Sequence, residues 1–442
     1  MNLGAELPVW TIVPFAGLLL SIAVLPLVVP HFWESNRNKA LVAALFAVPV
    51  AVYLVATFGH EGVQQLVEKT QEYLSFILLL LALFVITGGI VVRGSLSGTP
   101  LVNTAILAFG AMIASVIGTT GASVLLIRPL LRANAPRESK VHIVVFFIFI
   151  VSNCGGLLTP LGDPPLFLGF LKGVPFEWTF SLWKQWLLVN VTLLVIFNVW
   201  DQRVLDAEDL SRPGSQLEAV QHHEPLAIDG KLNFVFLAGV VAVIFAAGRG
   251  VANGGGVYPF GIQEAMMAVL ALVAYRSTPA RFRSANSFTF GPIVEVAVLF
   301  AGIFITMAPA LLLLNAHAAE LGVREPWQFY WASGILSSFL DNAPTYLTFA
   351  AAASGLNGIP VEGRYLAELL ALGERGAELL AAISCGSVMM GANSYIGNGP
   401  NFMVKAIAEE AGVRMPSFFG YMAYSVGILI PIFIVVTLAF FR

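Results

Sequence analysis

Long apolar stretches are the feature of this sequence that most limits how the chain can fold. They recur along its whole length, at 8–30, 41–58, 73–92, 141–171, 186–201, 232–248, 263–275, 291–314, 377–403 and 418–441. A helix needs about 20 mostly apolar residues to cross a bilayer, and in lipid only helices and closed barrels satisfy all of their backbone polar groups. The stretches therefore predict an all-α polytopic membrane protein with about ten spans.

The composition agrees with a membrane protein and excludes the main alternatives. Hydrophobic residues make up 58% of the 442 residues and charged residues 11%, whereas soluble domains average roughly 45–50% and about 25%. The net charge of −3 gives no sign of a nucleic-acid partner, so the expected partner is the lipid bilayer. Glu6 precedes the first stretch without a basic segment or cleavage site. We therefore expect retained N-terminal helices at 1–72 rather than a signal peptide.

Two further apolar stretches, 101–132 and 327–350, each contain a polar break with Gly or Pro in the middle. We expect each to form a re-entrant hairpin, which enters and leaves the membrane on one side. Most of the 23 Lys and Arg residues then fall on one side of the membrane, in the loops 31–40, 93–99, 132–140, 201–231, 276–290 and 404–416. We call this the basic side. Such loops stay in the cytoplasm, which predicts a bacterial-type inner (plasma) membrane protein with both termini outside.

Some charged residues near the ends of apolar stretches are expected at the membrane–water interface. Lys172 and Lys184 flank a stretch with three tryptophans, and Glu295 and Arg128 lie close to the ends of their segments. Tryptophan collects at such interfaces, and long charged side chains reach toward water from there. These residues are therefore weaker candidates for a functional site.

Two pairs of segments indicate an internal repeat. Residues 114–123 align with 337–346 inside the predicted hairpins, and residues 162–167 align with 397–402. Each half then has a span, a hairpin, a broken span and a closing span. Because the hairpins open to opposite sides, the halves have inverted topology, as in many secondary transporters. Chance similarity between short Gly- and Pro-rich stretches is the alternative, and the shared order of elements favours the repeat.

The repeat divides the chain into four parts after the N-terminal helices. These are a first repeat at 73–201, a polar linker at 202–231, connecting helices at 232–290 and a second repeat at 291–442. Each repeat contains one span that cannot continue as a single helix. In 141–171, Pro164 and Pro165 remove two amide donors, and in 377–403 the segment 391–401 is rich in Gly and Asn. Freed backbone groups at membrane depth are tolerated only in protein or beside water, so the breaks are predicted to line a buried polar site.

Each half of the chain carries one carboxylate in these interruptions, Asp163 at the first break and Asp341 in the second hairpin. A charged carboxylate at the centre of a transmembrane helix costs about 2.5–3.5 kcal/mol on insertion scales. The first hypothesis for such a residue is therefore that it has a functional role. Alternatively, each Asp caps a half-helix by accepting hydrogen bonds from its free amides. The two roles are compatible.

Hard cations such as Na⁺ prefer oxygen ligands, and Asp163 and Asp341 are the predicted Na⁺ ligands. A buried carboxylate holds either a proton or a cation, and competition between the two is sufficient for antiport. Neutral candidates for cation or proton binding are Asn153, Asn342, Asn393 and Asn398. Further ligands or neighbouring hydrogen-bond donors are Thr119, Thr120, Ser123, Ser152, Thr345, Ser394 and Asn401.

The residues at the breaks resemble motifs of a known family. Residues 152–156 (Ser-Asn-Cys-Gly-Gly) with 159–164 (Thr-Pro-Leu-Gly-Asp-Pro), and residues 340–344 (Leu-Asp-Asn-Ala-Pro), are similar to signatures of NhaD-type sodium/proton antiporters. These proteins belong to the ion transporter superfamily, together with arsenite permeases and CitMHS-like citrate transporters. The resemblance covers about residues 75–440. It implies two inverted repeats with re-entrant hairpins, a homodimer and elevator-type movement.

We therefore expect a secondary active transporter that exchanges Na⁺ or Li⁺ for protons by alternating access, with no cofactor besides the transported ions. An arsenite, citrate or dicarboxylate transporter of the same superfamily is the alternative. A remote alternative is an intramembrane aspartyl protease, whose two aspartates share a proton. Its Gly-x-Gly-Asp pattern is not met by Pro160-Leu161-Gly162-Asp163. An enzyme is therefore not expected.

Overall fold

Helices account for almost the whole protein, as expected for a chain whose backbone cannot hydrogen-bond to lipid. The structure is a computed structural model that describes residues 3–94, 97–211, 227–251, 253–254 and 258–442. Within these residues it contains 20 α-helices and almost no sheet. The all-α polytopic class is therefore confirmed.

The N-terminal helices form the first part of the fold. They are α1 (Leu3–Glu6), α2 (Val13–Val28), α3 (Pro30–Trp33), α4 (Asn36–Phe58) and α5 (His60–Thr87), with a 3-10 turn at Val9–Ile12 before α2. α5 begins well before the apolar stretch predicted at 73–92. Its polar first half is mostly exposed, but Lys69 in that half is only 3% exposed.

The hairpin and the broken helix of the first repeat follow. The hairpin is α6 (Pro100–Ile117) and α7 (Thr119–Ala133), and the broken helix is α8 (Val141–Ile150), a 3-10 turn (Cys154–Leu158) and α9 (Pro164–Leu171). Gly118 separates α6 from α7 with a φ of +81°, which glycine adopts without steric cost. The arms lie side by side, since a Cβ on Gly110 would touch Leu126. A 3-10 helix (Phe176–Leu182) and α10 (Trp183–Ser211) complete this repeat.

A small sheet and three helices connect the two repeats. β1 (Val91–Arg93) pairs antiparallel with β2 (Ala227–Asp229), with Val92 opposite Ile228. β2 lies in the segment predicted as a polar linker, of which residues 212–226 fall outside the described residues. Strands of three residues are too short for an alternating pattern to reveal them. The helices are α11 (Leu232–Arg249), α12 (Ile262–Ser277) and α13 (Ala280–Ala285).

The second repeat has the same order of elements as the first. α14 (Gly291–Ala316) and a 3-10 turn (Ala318–Leu321) lead to the hairpin of α15 (Pro326–Ser337) and α16 (Asn342–Leu356). After α17 (Tyr365–Ala371), the broken helix consists of α18 (Glu374–Met390), a 3-10 turn (Gly391–Asn393) and α19 (Gly399–Glu410). α20 (Phe418–Phe440) closes the repeat.

By length and apolar composition, nine helices of the described residues are able to cross a membrane. This number includes α6, which is a hairpin arm, and leaves out α12 and the second broken helix. α12 has 16 residues and α18 has 17, slightly fewer than the 18 residues of the shortest of these nine helices. If the second broken helix and α12 are added to the nine and the hairpin arm α6 is left out, the number of spans is ten, as predicted.

Both breaks and most of α8, α9 and α18 lie in the interior, where the other elements shield them from lipid, whereas α19 is exposed on one face at Phe402. Residues 143–150 of α8 are each at most 1% exposed. The outer helices differ, because Leu20 in α2 and Leu45 in α4 are more than half exposed. Irregular backbone at membrane depth must be buried in protein, and this arrangement meets that requirement.

Candidate functional site

The two hairpin turns lie against the two helix breaks and are bonded to them. At the first hairpin, the amide of Thr119 donates to the carbonyl oxygen of Gly162 at 2.8 Å. At the second, the hydroxyl of Ser394 in the break donates to the carbonyl oxygen of Ser338 at 2.5 Å. The polar backbone at each break is therefore satisfied in part by the neighbouring hairpin, and in part by helices that follow the break, as where Trp186 donates to Gly155 and Tyr421 to Ala392.

The hydrogen bonds repeat from one half of the protein to the other. The hydroxyl of Thr159 donates to the carbonyl oxygen of Ser115, as Ser394 does to Ser338, and Ser115 aligns with Ser338 in the predicted repeat. In the same way, the Leu161 amide donates to the Thr159 hydroxyl at 3.0 Å, and the Ile396 amide to the Ser394 hydroxyl at 3.2 Å. Chance similarity between the segments would not reproduce these contacts.

Glycines allow the backbone to cross itself at each break. A Cβ on Gly162 would overlap the carbonyl oxygen of Gly156, and a Cβ on Gly397 would lie 2.5 Å from the carbonyl oxygen of Gly391. Real Cβ atoms do not approach backbone oxygens this closely. Both crossings therefore require glycine.

We predict that Gly162→Ala lowers the stability of the protein by about 1–3 kcal/mol, because the added methyl group forces two backbone segments apart. Gly427→Ala is the matched control, since a Cβ at Gly427 in α20 meets nothing within 4 Å. Thermal unfolding in detergent measures the difference. Equal midpoints for the two variants would show that the crossing tolerates a side chain.

The two hairpins and the two helix breaks meet at Asp163. It is 2% exposed, and its carboxylate accepts hydrogen bonds from the Thr119 hydroxyl at 2.7 Å and from the Asn398 amide at 3.2 Å. A third donor is the Asn342 side-chain amide. Thr119 belongs to the first hairpin, Asn342 to the second hairpin and Asn398 to the second break. The structure thus brings four of the predicted residues into one cluster.

The capping role proposed as an alternative for Asp163 does not apply. Asp163 occupies the N-cap position of α9, but its side chain makes no capping hydrogen bond. The reason is that Pro164 and Pro165, the first residues of α9, have no amide hydrogen to donate, while the Leu166 amide donates to the backbone carbonyl oxygen of Asp163 at 3.1 Å. The carboxylate is therefore directed to side chains from other elements.

Asp341 does take the capping role. Its carboxylate accepts from the Ala343 amide at 3.0 Å at the start of α16, while the Thr345 hydroxyl donates to the Asp341 carbonyl oxygen at 2.8 Å. The residue is half-buried. The two carboxylates are connected through Asn342, which follows Asp341 in the chain and donates to Asp163.

A chain of asparagine amides extends from Asp163 into the breaks. Asn398 donates to the Asn153 side-chain oxygen at 3.2 Å, and Asn153 donates to that of Asn401 at 2.7 Å. Asn401 in turn donates to the carbonyl oxygens of Gly391 and Ser394, both at 2.9 Å. Asn153 and Asn401 therefore hold the two breaks together and satisfy freed backbone oxygens.

The remaining predicted residues lie around this cluster. The hydroxyls of Ser123 and Ser152 are 2.8 Å apart, and the Asn393 amide donates to the Ser338 hydroxyl at 2.9 Å. Among the described residues, the side-chain oxygens of Asn342 and Asn393 are buried without a hydrogen-bond partner. Unpaired buried oxygens are costly, and they are suitable ligands for a hard cation.

A cavity of about 90 Å³ reaches Asp163 and Thr119. Its walls include Thr120 at the hairpin turn, Leu83 in α5 and Pro292 at the start of α14. Pro292 lies next to the 276–290 loop, so the cavity extends toward the basic side. Access to Asp163 thus runs between the first hairpin and the helices α5 and α14.

The sequence-based expectation for Lys172 is wrong. This residue is 3% exposed rather than interfacial, and its ammonium group pairs with Glu68 at 3.2 Å and with Glu72 at shorter range. Lys69 bonds to Glu72 at 3.0 Å. A buried ion-pair cluster therefore joins α5 to the end of α9, and the apolar pattern around Lys172 contains no signal for it.

Asp201, at the boundary between the predicted span 186–201 and the polar loop 201–231, lies in the interior. It is fully buried and accepts from Arg137 at 2.5 Å and from Asn103 at 2.9 Å, while His142 Nε2 lies 2.7 Å from the carboxylate. The position of Asp201 at the end of an apolar stretch could have indicated burial. This network fixes the outer ends of the first hairpin to α10.

Comparison with protein families gives a match over almost the entire chain. A family model described as "Putative citrate transport" matches residues 4–441. No curated protein matches the sequence. The matched region contains both hairpins, both breaks and every residue of the Asp163 cluster.

Proposed function

Since the chain belongs to the citrate-transport family and is a citrate-transporter-like secondary transporter, we propose that it exchanges Na⁺ or Li⁺ for protons at Asp163 by alternating access. The observation that supports this proposal is a buried carboxylate on which two hairpins and two helix breaks converge. The members of this cluster are otherwise neutral amides and hydroxyls. Such a site offers one negative charge to a monovalent cation or to a proton.

The burial of Asp163 makes the two ligands mutually exclusive. An unpaired charge inside the membrane is strongly unfavourable, so the carboxylate has to be neutralised whenever the site is closed to water. A proton or a Na⁺ ion achieves this equally well in terms of charge. Each time the site closes, it then holds either a proton or a Na⁺ ion. This is the requirement for exchanging one for the other.

The inverted repeats supply a route to the second conformation. The cavity beside Asp163 extends toward the basic side along the first hairpin. Because the contacts of the second hairpin repeat those of the first, exchanging the conformations of the two halves would open the opposite side. This is the usual basis of alternating access in inverted-repeat transporters.

Cation-coupled citrate transport is the second candidate, and the family description favours it. The half-helices α7, α16 and α19 begin at the hairpin turns or breaks around Asp163. Helix N-termini carry partial positive charge and bind carboxylates. In this case Asp163 would bind the coupling cation, and the helix ends would bind the organic anion.

A transport experiment in proteoliposomes separates the two candidates. The purified protein is reconstituted with an outward proton gradient, and Na⁺, Li⁺, K⁺, arsenite or citrate is added outside. We expect Na⁺ and Li⁺ to dissipate the gradient, K⁺ to have no effect, and labelled citrate and arsenite not to accumulate. Citrate accumulation without cation-dependent proton movement would favour the second candidate, and arsenite accumulation would contradict both.

A further inference from the structure

A cavity lined by several arginines lies on the basic side, away from Asp163. Its volume is about 390 Å³, and its walls come from β1, the last turns of α7, and Asn286 after α13. Among the described residues, it shares no lining residue with the cavity that reaches Asp163. Three arginines line it, Arg93, Arg128 and Arg132, and the described part of the lining contains no acidic residue.

The charges of these arginines are only partly compensated by the described residues. Arg93 pairs with Asp229 on the neighbouring strand, and Arg132 donates to the carbonyl oxygen of Val92 at 3.0 Å. Arg128 and Arg132 are four residues apart on α7, a spacing at which like charges repel one another. An anion between them would convert this repulsion into attraction.

The side chain of Arg128 has a hydrogen-bond donor that is unpaired within the described part of the chain, which is a further indication of an anion site. Its Nε atom is buried, and no hydrogen-bond partner for it exists among the described residues. A buried donor without an acceptor costs free energy. Attraction of a cation to the C-terminal end of α7 accounts for positive charge at this position, but it explains neither the cavity nor the unpaired donor.

We propose that this arginine cavity binds a phosphate group, carried by an anionic lipid headgroup or by a free phosphate anion. The planar guanidinium group matches phosphate oxygens in pairs. Basic pockets between membrane helices on the cytoplasmic side are binding places for anionic headgroups. The cavity lies on the basic side, where such headgroups are found.

A phosphate in this cavity would tie the first hairpin to the connecting elements. α7 carries Arg128 and Arg132 at one end and Thr119, a hydrogen-bond partner of Asp163, at the other. The opposite wall is fixed, since Asn286 donates to the carbonyl oxygens of Gly88 at 3.0 Å and Ile90 at 2.6 Å. Any effect of the anion on transport rests on the proposed function, whereas its binding does not.

Binding is tested with the full-length protein in nanodiscs of phosphatidylcholine, with or without phosphatidylglycerol, and in detergent with sodium phosphate or sodium chloride. We expect a higher unfolding midpoint with phosphatidylglycerol or phosphate. Arg128→Gln should weaken the apparent affinity by about tenfold or more, as expected for lost charged hydrogen bonds. Arg276→Gln is the matched control, because Arg276 is exposed on the same side.

The outcomes distinguish the sources of the phosphate group. Stabilisation by phosphatidylglycerol alone assigns the cavity to lipid, and stabilisation by both probes assigns it to the phosphate group itself. Should Arg128→Gln fold poorly, Arg128→Lys keeps the charge but not the paired geometry and should bind with intermediate affinity. The proposal is overturned if neither probe stabilises the protein, or if Arg128→Gln responds as strongly as Arg276→Gln.

Discussion

Asp163→Asn is expected to abolish Na⁺-dependent proton movement in proteoliposomes. The amide has nearly the same shape but carries no charge and cannot exchange a proton. A unit charge attracts a cation 4 Å away by about 4 kcal/mol at an effective dielectric constant of ~20. Its loss should therefore weaken cation binding by roughly a thousandfold. A pH-sensitive dye inside the vesicles and calorimetric Na⁺ titration measure the two effects.

Asp341→Asn provides a sharp comparison with the first variant. Asparagine is as good an N-cap as aspartate, so the bond to the Ala343 amide and the folding of α16 should survive. We expect a smaller loss of transport than in Asp163→Asn, because Asp163 is the more deeply buried carboxylate. A folded Asp163→Asn protein that exchanges Na⁺ at the wild-type rate would remove Asp163 from the mechanism.

Lys172→Met is expected to destabilise the protein by about 1–3 kcal/mol, which is less than the cost of leaving a fully buried charge without any partner. The reason is that Glu72 keeps Lys69 as a basic partner and that Glu68, which loses its bond at 3.2 Å, is partly exposed. Thermal unfolding in detergent measures the loss.

Lys184→Met is the matched control for this prediction. Lys184 belongs to the same aromatic stretch but is exposed, so its replacement should change the stability by no more than about 0.5 kcal/mol. If both variants unfold at the wild-type midpoint, the cluster of Lys172, Glu68 and Glu72 contributes nothing to stability.

The contrast between these two lysines shows where sequence-based prediction succeeds and fails. The spans were predictable because lipid imposes a length and a composition on each of them. The region around Asp163 was predictable because prolines at membrane depth demand a polar environment. These are local constraints, which a short segment reveals by itself.

The burial of Lys172 and Asp201 depends instead on distant partners. Glu72 lies 100 residues before Lys172 in the chain, and Asp201 is bonded to Arg137 and to Asn103, which is 98 residues away. No local pattern records which polar residues will face each other after folding. Burial was consequently predicted for neither residue, and Asp163's partner Asn342 was predicted only as one of several neutral candidates.

The two prolines after Asp163 affect how many lone-pair positions of its carboxylate remain free. A residue at the start of a helix ordinarily shares its oxygens with the amides of that helix, but Pro164 and Pro165 have none to offer. An ionised carboxylate has about four lone-pair positions. Thr119, Asn342 and Asn398 occupy three. One lone-pair position remains, and it can accept a proton or serve as one of the several oxygen ligands of a Na⁺ or Li⁺ ion.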